Sequence, residues 1–327
     1  MLAFAIRRFG QSLFVLVVMS FLVFLGVYAV GNPIELLVNP QADEIERARA
    51  TAALGLDKPI LEQYGTFLAR AASGDLGRSF VYNIPAIDLI LDKLPATLEL
   101  AFCAMVLAIV LGIPMGLFAG LRPNSIAGRA IMAGSILGFS LPTFWVGLVL
   151  IMVFSVHLGW LPPNGRGETV MLLGVPVSFL TVDGLRHLAM PALNLALFKL
   201  SLLVRLTRAS TREAVLQDYV KFARAKGLTA RRVVGVHILK NIMIPIVTVI
   251  GLELGSVIAF AIITESIFAW PGTGKLLIDS INQLDRPVIV AYLLVIVTIF
   301  IAINFVVDVL YSLLDPRVRI GETAGAH

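Results

Sequence analysis

Apolar residues along the chain gather into six long runs separated by polar segments. Phe9–Val30, Leu100–Gly120, Ala130–Val156 and Pro287–Val307 contain no charged residue. Ile242–Ile263 is interrupted only by Glu253, and Leu188–Val204, the shortest run, carries Lys199. A bilayer core of about 30 Å is crossed by about 20 apolar residues of helix. The pattern therefore predicts an all-α membrane protein with six transmembrane helices. The first run follows Arg7-Arg8, as a secretory signal would. Signal cores run about 7–15 residues and end at a small-residue cleavage site. This run is longer and lacks a clear Ala-x-Ala, so a retained helix is expected.

The segments between runs are uneven. Residues 31–99 are too long for a connector and carry helical patterning. Ala42–Leu54 is charged and alanine-rich, and Pro59–Ala72 places Ile60, Tyr64, Phe67 and Leu68 at helical spacing before Gly74. A small helical subdomain between the first two spans is expected. The segment 158–186, with Pro162-Pro163 and two short apolar runs, predicts no particular structure. The expected organisation is a tail and first span (1–31), the subdomain (32–96), a core of five spans (97–314) and a tail (315–327).

Composition agrees with a membrane protein: 58% of residues are hydrophobic and only 14% charged, with a mean hydropathy of +0.91. Soluble chains average about 25% charged residues. The net charge of +5 acquires meaning once it is located. With the N-terminus in the cytoplasm, residues 1–8, 121–130, 205–241 and 315–327 hold 15 Lys/Arg and 4 Asp/Glu. The opposite side holds 10 and 15. Cytoplasmic loops are enriched in Lys and Arg, so both termini are expected inside. Intramembrane Lys199, Glu253 and Asp308 complete the tally. The basic excess is a topology signal and gives no support to nucleic-acid binding.

Nine of the basic residues lie between Arg205 and Lys240. Here Val215, Tyr219 and Phe222 fall at i, i+4 and i+7 beside Leu216, Val220 and Ala223, as the apolar stripe of one amphipathic helix. Gly227 follows basic residues, as a helix C-terminus would, and Thr229 is placed to cap a second helix. Such a helix-turn-helix could transmit force from a soluble partner, or lie on anionic lipid. Spacing alone leaves both open.

The segment Gln217–Leu228 (QDYVKFARAKGL) resembles the "EAA" motif of permease subunits of ABC importers, in the dipeptide/oligopeptide/nickel branch. Gly227 and Ile242-x-Ile244-Pro245 fit the pattern; Lys221 and Phe222 stand where the general motif has Glu and Ala, and Ala223 matches. Further segments resemble the same branch: LGLDKP (54–59), GDLGRS (74–79), SLPTFW (140–145), LGWLPPNG (158–165), ESIFAWPGTGKLL (265–277) and VVDVLYSLLDPRVR (306–319). The resemblance implies a type I ABC importer permease-like fold in the bacterial inner membrane. It implies a homologous second permease as heterodimer partner, two cytoplasmic ATP-binding subunits and an extracytoplasmic solute-binding protein. It places coupling to the ATP-binding subunit on Asp218, Tyr219, Phe222, Ala223, Arg224, Ala225, Lys226 and Gly227. ATP and Mg would belong to the partner subunits, with no cofactor in this chain. A secondary transporter or channel, or a membrane scaffold, is the alternative by class.

Other candidates are weaker. Pro271-Gly-Thr-Gly-Lys275 lacks the first glycine and the final Ser/Thr of a phosphate loop; a turn anchored at the membrane surface by Trp270 is expected. His157, His187, His237 and His327 show no metal-ligand spacing, and Cys103 stands alone. Gly112, Gly116 and Gly120, with Gly251, Gly255 and Ala259, form small-residue faces suited to close helix packing. Glu253 and Pro142 are the candidate translocation-pathway residues, and Lys199 could pair with Glu253 or reach for the cytoplasmic edge.

Overall fold

The computed structural model describes residues 2–29, 43–53 and 57–314. The expected tail 315–327 lies outside them. The described helices, in order, are α1 Leu2–Ala29, α2 Glu44–Ala53, α3 Ile60–Ala72, α4 Ala86–Leu121, α5 Ile126–Ser140, α6 Thr143–His157, α7 Val182–Leu216, α8 Asp218–Ala225, α9 Ala230–Ile267, α10 Thr273–Asn282 and α11 Arg286–Leu314. One antiparallel hairpin, β1 Val170–Leu172 with β2 Val175–Val177, occupies the segment for which the sequence predicts nothing. Leu173 (φ 52) and Gly174 (φ 83) form its two-residue turn, as hairpins with positive φ at both central positions require.

Helices α1, α4, α7, α9 and α11 are long and apolar enough to cross a membrane. The run 130–156 differs from expectation. It is a pair, α5 and α6, bent by 108°, and it makes a sixth span only if the two halves count as one. The cause is local: Pro142 cannot donate to the helix ladder and excludes the helical region for Leu141, which is extended at ψ 135.

The chain clusters into two compact units. The first comprises residues 1–95 and 271–309. In it, α1 packs beside α3 through Phe21, Phe24, Tyr64 and Phe67, and the Tyr64 hydroxyl lies 2.8 Å from Ser20 Oγ. Val23 joins Val290 and Leu294 of α11 in a buried cluster, and Arg8 pairs with Asp308 at 3.3 Å. Buried Asp285 holds the segment between α3 and α4 by bonding the Ser79 hydroxyl and accepting from Phe80 N at 3.0 Å.

The second unit, residues 96–270 and 310–314 among those described, is built on α7. This weakest hydrophobic run becomes a 35-residue helix whose apolar window is 61% buried, against 6% for α1. Asn194 and Lys199, which lower its hydropathy, find partners inside the protein, which hydropathy cannot anticipate. The glycine face of α4 lies directly on it. A Cβ on Gly116 would stand 2.6 Å from both Thr207 Cβ and Val204 O, and one on Gly120 2.6 Å from Thr211 Cβ. Only glycine permits that approach, and the expected packing role holds.

Candidate coupling and pathway sites

The stripe expected over 215–223 as one helix is instead divided. Helix α7 ends at Leu216, Gln217 is extended (φ −70, ψ 148), and α8 starts afresh at Asp218. The break rotates the second half. Val220 and Ala223 turn inward, at 0% and 3% exposed, while Phe222 is 62% exposed and Tyr219 half-exposed. Sequence periodicity grouped these four residues because no proline or glycine marks the break. Ala223 thus packs α8 against the protein, and the outward face carries Asp218, Tyr219, Phe222, Arg224, Ala225 and Lys226.

The end of α8 follows the sequence expectation. Gly227 N donates to Arg224 O (2.9 Å) and Leu228 N to Ala223 O (3.3 Å), with Gly227 at φ +76. This is a Schellman cap, and its left-handed residue favours glycine because no Cβ crowds the carbonyl. At the other end the Lys221 ammonium, bonded at 2.9 Å, holds the Asp218 carboxyl below the ordinary carboxylate range. The Lys226 ammonium stands 4.5 Å from the centre of the Phe222 ring. The result is a short capped helix offering two aromatic rings amid basic groups.

Farther along the same unit, α7 and α9 are tied by polar side chains. Lys199 bonds the Glu253 carboxylate and, at 2.7 Å, Ser256 Oγ. Of the two possibilities left open for Lys199, pairing is the one observed. Asn194 Nδ2 donates to Thr264 Oγ1 at 3.0 Å, and Thr97 of α4 joins α9 as well, its Oγ1 donating to Glu265 Oε1 at 2.7 Å. Pro142 lies at the α5–α6 break.

Two further groups escaped the sequence reading, which counted Glu99 and Glu265 as loop charges. Both are buried, at 5% and 0% exposed. Glu99 Oε2 accepts from Arg166 Nε (2.9 Å) and Nη2 (2.5 Å), while Oε1 accepts from Ser178 N (2.5 Å) and Phe179 N (3.0 Å). Their position at the edges of apolar runs was the available signal. Trp270 corrects a different expectation. It is fully buried, with Nε1 donating to Ala96 O at 2.9 Å and Arg166 5.8 Å from its ring centre, so it is a core residue and not a surface anchor. Lys275 pairs with Asp279 at 2.6 Å inside α10.

Residues 112–320 match the family described as binding-protein-dependent transport system inner membrane component, and residues 1–101 match its N-terminal region. The chain is 40% identical to the di/tripeptide transport system permease protein DppB of Pseudomonas aeruginosa, covering 98% of this chain and 99% of that one. It is 38% identical to the dipeptide transport system permease protein DppB of Escherichia coli K12, over 98% and 99%. It is 37% identical to the oligopeptide transport system permease protein AppB of Bacillus subtilis, over 98% and 100%. Among solved structures, the inward-facing MetNI methionine ABC transporter superposes with a TM-score of 0.54 at 16% identity, over 69% of this chain and 96% of that one. That likeness supports the type I importer fold, and nothing in these comparisons favours a secondary transporter, channel or scaffold. The chain belongs to the binding-protein-dependent transport system inner membrane component family: it is a permease subunit of an ABC importer of the bacterial inner membrane, with ATP hydrolysis in separate subunits.

Proposed function

We propose that this chain forms half of the translocation pathway of a peptide importer and is driven through α8. The single observation that carries the coupling role is the capped, outward-facing helix Asp218–Ala225, isolated between Gln217 and Gly227. The peptide substrate is supported by the relatives, which are named for di/tripeptide, dipeptide and oligopeptide transport. A homologous second permease completes the pathway as a heterodimer. Two ATP-binding subunits hold ATP and Mg on the cytoplasmic side, and a solute-binding protein delivers peptide from outside. Both termini are cytoplasmic, a reading supported by the Lys/Arg distribution.

Closure of the ATP-binding subunits would displace α8 through Tyr219 and Phe222. Helix α8 joins α7 through one extended residue and leads through Gly227 into α9, so its motion reaches both helices that carry the Lys199–Glu253 pair. Glu253 and Pro142 are the pathway residues in this reading: one is a charge within a span, the other a fixed bend. The partner's different contacts with α8 in its open and closed states supply the bias.

Cysteine accessibility and cross-linking test the arrangement in a Cys103→Ala background. Phe222→Cys should cross-link to the ATP-binding subunit and react with an impermeant thiol reagent only after permeabilisation. Leu173→Cys, at the 98% exposed hairpin tip, should react in intact cells. The reverse labelling pattern would overturn the proposed orientation.

A further inference from the structure

Lys199 is the central residue of α7, and Glu253 is the central residue of Leu239–Ile267, the regular part of α9. Their pairing fixes the level at which the helices meet. Glu253 is also central in the run Ile242–Ile263, so its carboxylate lies deep within a span, where an ionised side chain is costly. The two members are not equally enclosed. The Lys199 side chain is 5% exposed and that of Glu253 25%.

The asymmetry extends to single atoms. Lys199 Nζ bonds Glu253 Oε2, and Ser256 Oγ lies 2.7 Å from that same oxygen. Among the described residues no donor bonds Oε1. One edge of the carboxylate is therefore spent on the buried ammonium, and the other is open. An open carboxylate edge facing hydrocarbon at this depth would be strongly unfavourable, so the opening fits a watered passage. Two helical turns along α9, Phe260 is 64% exposed and its ring centre stands 5.6 Å from Lys199 Nζ. A carboxylate oxygen recognises an ammonium group by charge-assisted hydrogen bonding, while the Phe260 ring faces the Lys199 ammonium.

We infer that Glu253 Oε1 is an intramembrane docking point for the α-ammonium of a passing peptide. The inference rests on the peptide-importer reading above. In it Lys199 is a positioning residue: it holds the carboxylate aimed without consuming its open edge. Residence there is brief, because a single charge-assisted contact orients the peptide without trapping it.

The test uses the whole complex in proteoliposomes, with the binding protein pre-saturated so that its own selectivity drops out. Maximal uptake rates are compared for dialanine and for propanoyl-alanine, in which hydrogen replaces the ammonium. The wild-type ratio should favour dialanine by at least about tenfold, the scale of a charge-assisted hydrogen bond. Glu253→Gln keeps the side-chain shape and should bring the ratio close to unity. The double exchange Lys199→Glu/Glu253→Lys keeps a pair but presents the wrong charge, and should lose dialanine uptake. A ratio unchanged in Glu253→Gln, or wild-type uptake by the exchange, would overturn the inference and leave the pair a structural tie. No dialanine uptake by the wild-type complex would instead overturn the proposed substrate class, and this inference with it.

Discussion

Arg166 donates from Nε and Nη2 to a single oxygen of Glu99, at 2.9 and 2.5 Å, and so pins the segment after α6 to the body of α4, nearly four turns from its first residue. Ser178 and Phe179 saturate the other oxygen. Removing one partner strands a buried charge, which costs about 3–5 kcal/mol in comparable pairs. Glu99→Ala should lower the melting temperature of the purified complex markedly, and Glu99→Ala/Arg166→Ala should recover part of the loss. Additive losses in the double variant would show that the pair is not a coupled unit.

Helix contact between α4 and α7 makes a size-specific prediction. Gly116→Ala places a methyl 2.6 Å from Thr207 Cβ and should destabilise by about 1–3 kcal/mol through overpacking. Gly134→Ala in α5 meets nothing within 4 Å and should be neutral or stabilising, by up to about 1 kcal/mol from helix propensity. Thermal unfolding in detergent compares the two directly.

The bend at Pro142 predicts a change in transport more than in stability. Pro142→Ala restores an amide donor and frees Leu141 to adopt helical angles. Uptake should fall while the melting temperature moves by only a few degrees, since such substitutions shift stability by about 0.4–1 kcal/mol. Full uptake would remove Pro142 from the proposed pathway.

At Asp218 the direction of titration sets a pH window. A carboxyl held down by Lys221 contributes its stabilisation above its unfolded pKa and loses it as pH falls through the lower folded value. Between neutrality and about pH 5 the pair should therefore leave coupling unchanged, and any acid loss through it should begin below the ordinary carboxylate range near 3.9. Asp218→Asn should abolish that acid step in the ratio of uptake to ATP hydrolysis.

Most of the span positions were legible because a bilayer demands long apolar runs, and a run such as Phe9–Val30 satisfies little else. The capping glycine at 227 was legible for a similar reason, since its left-handed angle suits few other residues. What escaped depended on partners distant in sequence. Glu99 looked like a loop charge until Arg166 and Ser178 closed on it. Leu188–Val204 looked marginal because Asn194 and Lys199 find their partners on α9. The break at Gln217 has no punctuating residue, and it splits the expected single stripe, turning Val220 and Ala223 inward and leaving Phe222 exposed.

The central claim is that α8 transmits the force of ATP hydrolysis, and Phe222 is its most exposed apolar contact. Dipeptide uptake and ATP hydrolysis measured together in proteoliposomes carrying Phe222→Ala test it most directly. Truncating an exposed ring should leave the subunit folded, lower uptake at least about tenfold as loss of an aromatic anchor does, and abolish stimulation of hydrolysis by loaded binding protein. Uptake and stimulated hydrolysis both at the wild-type level would contradict the account.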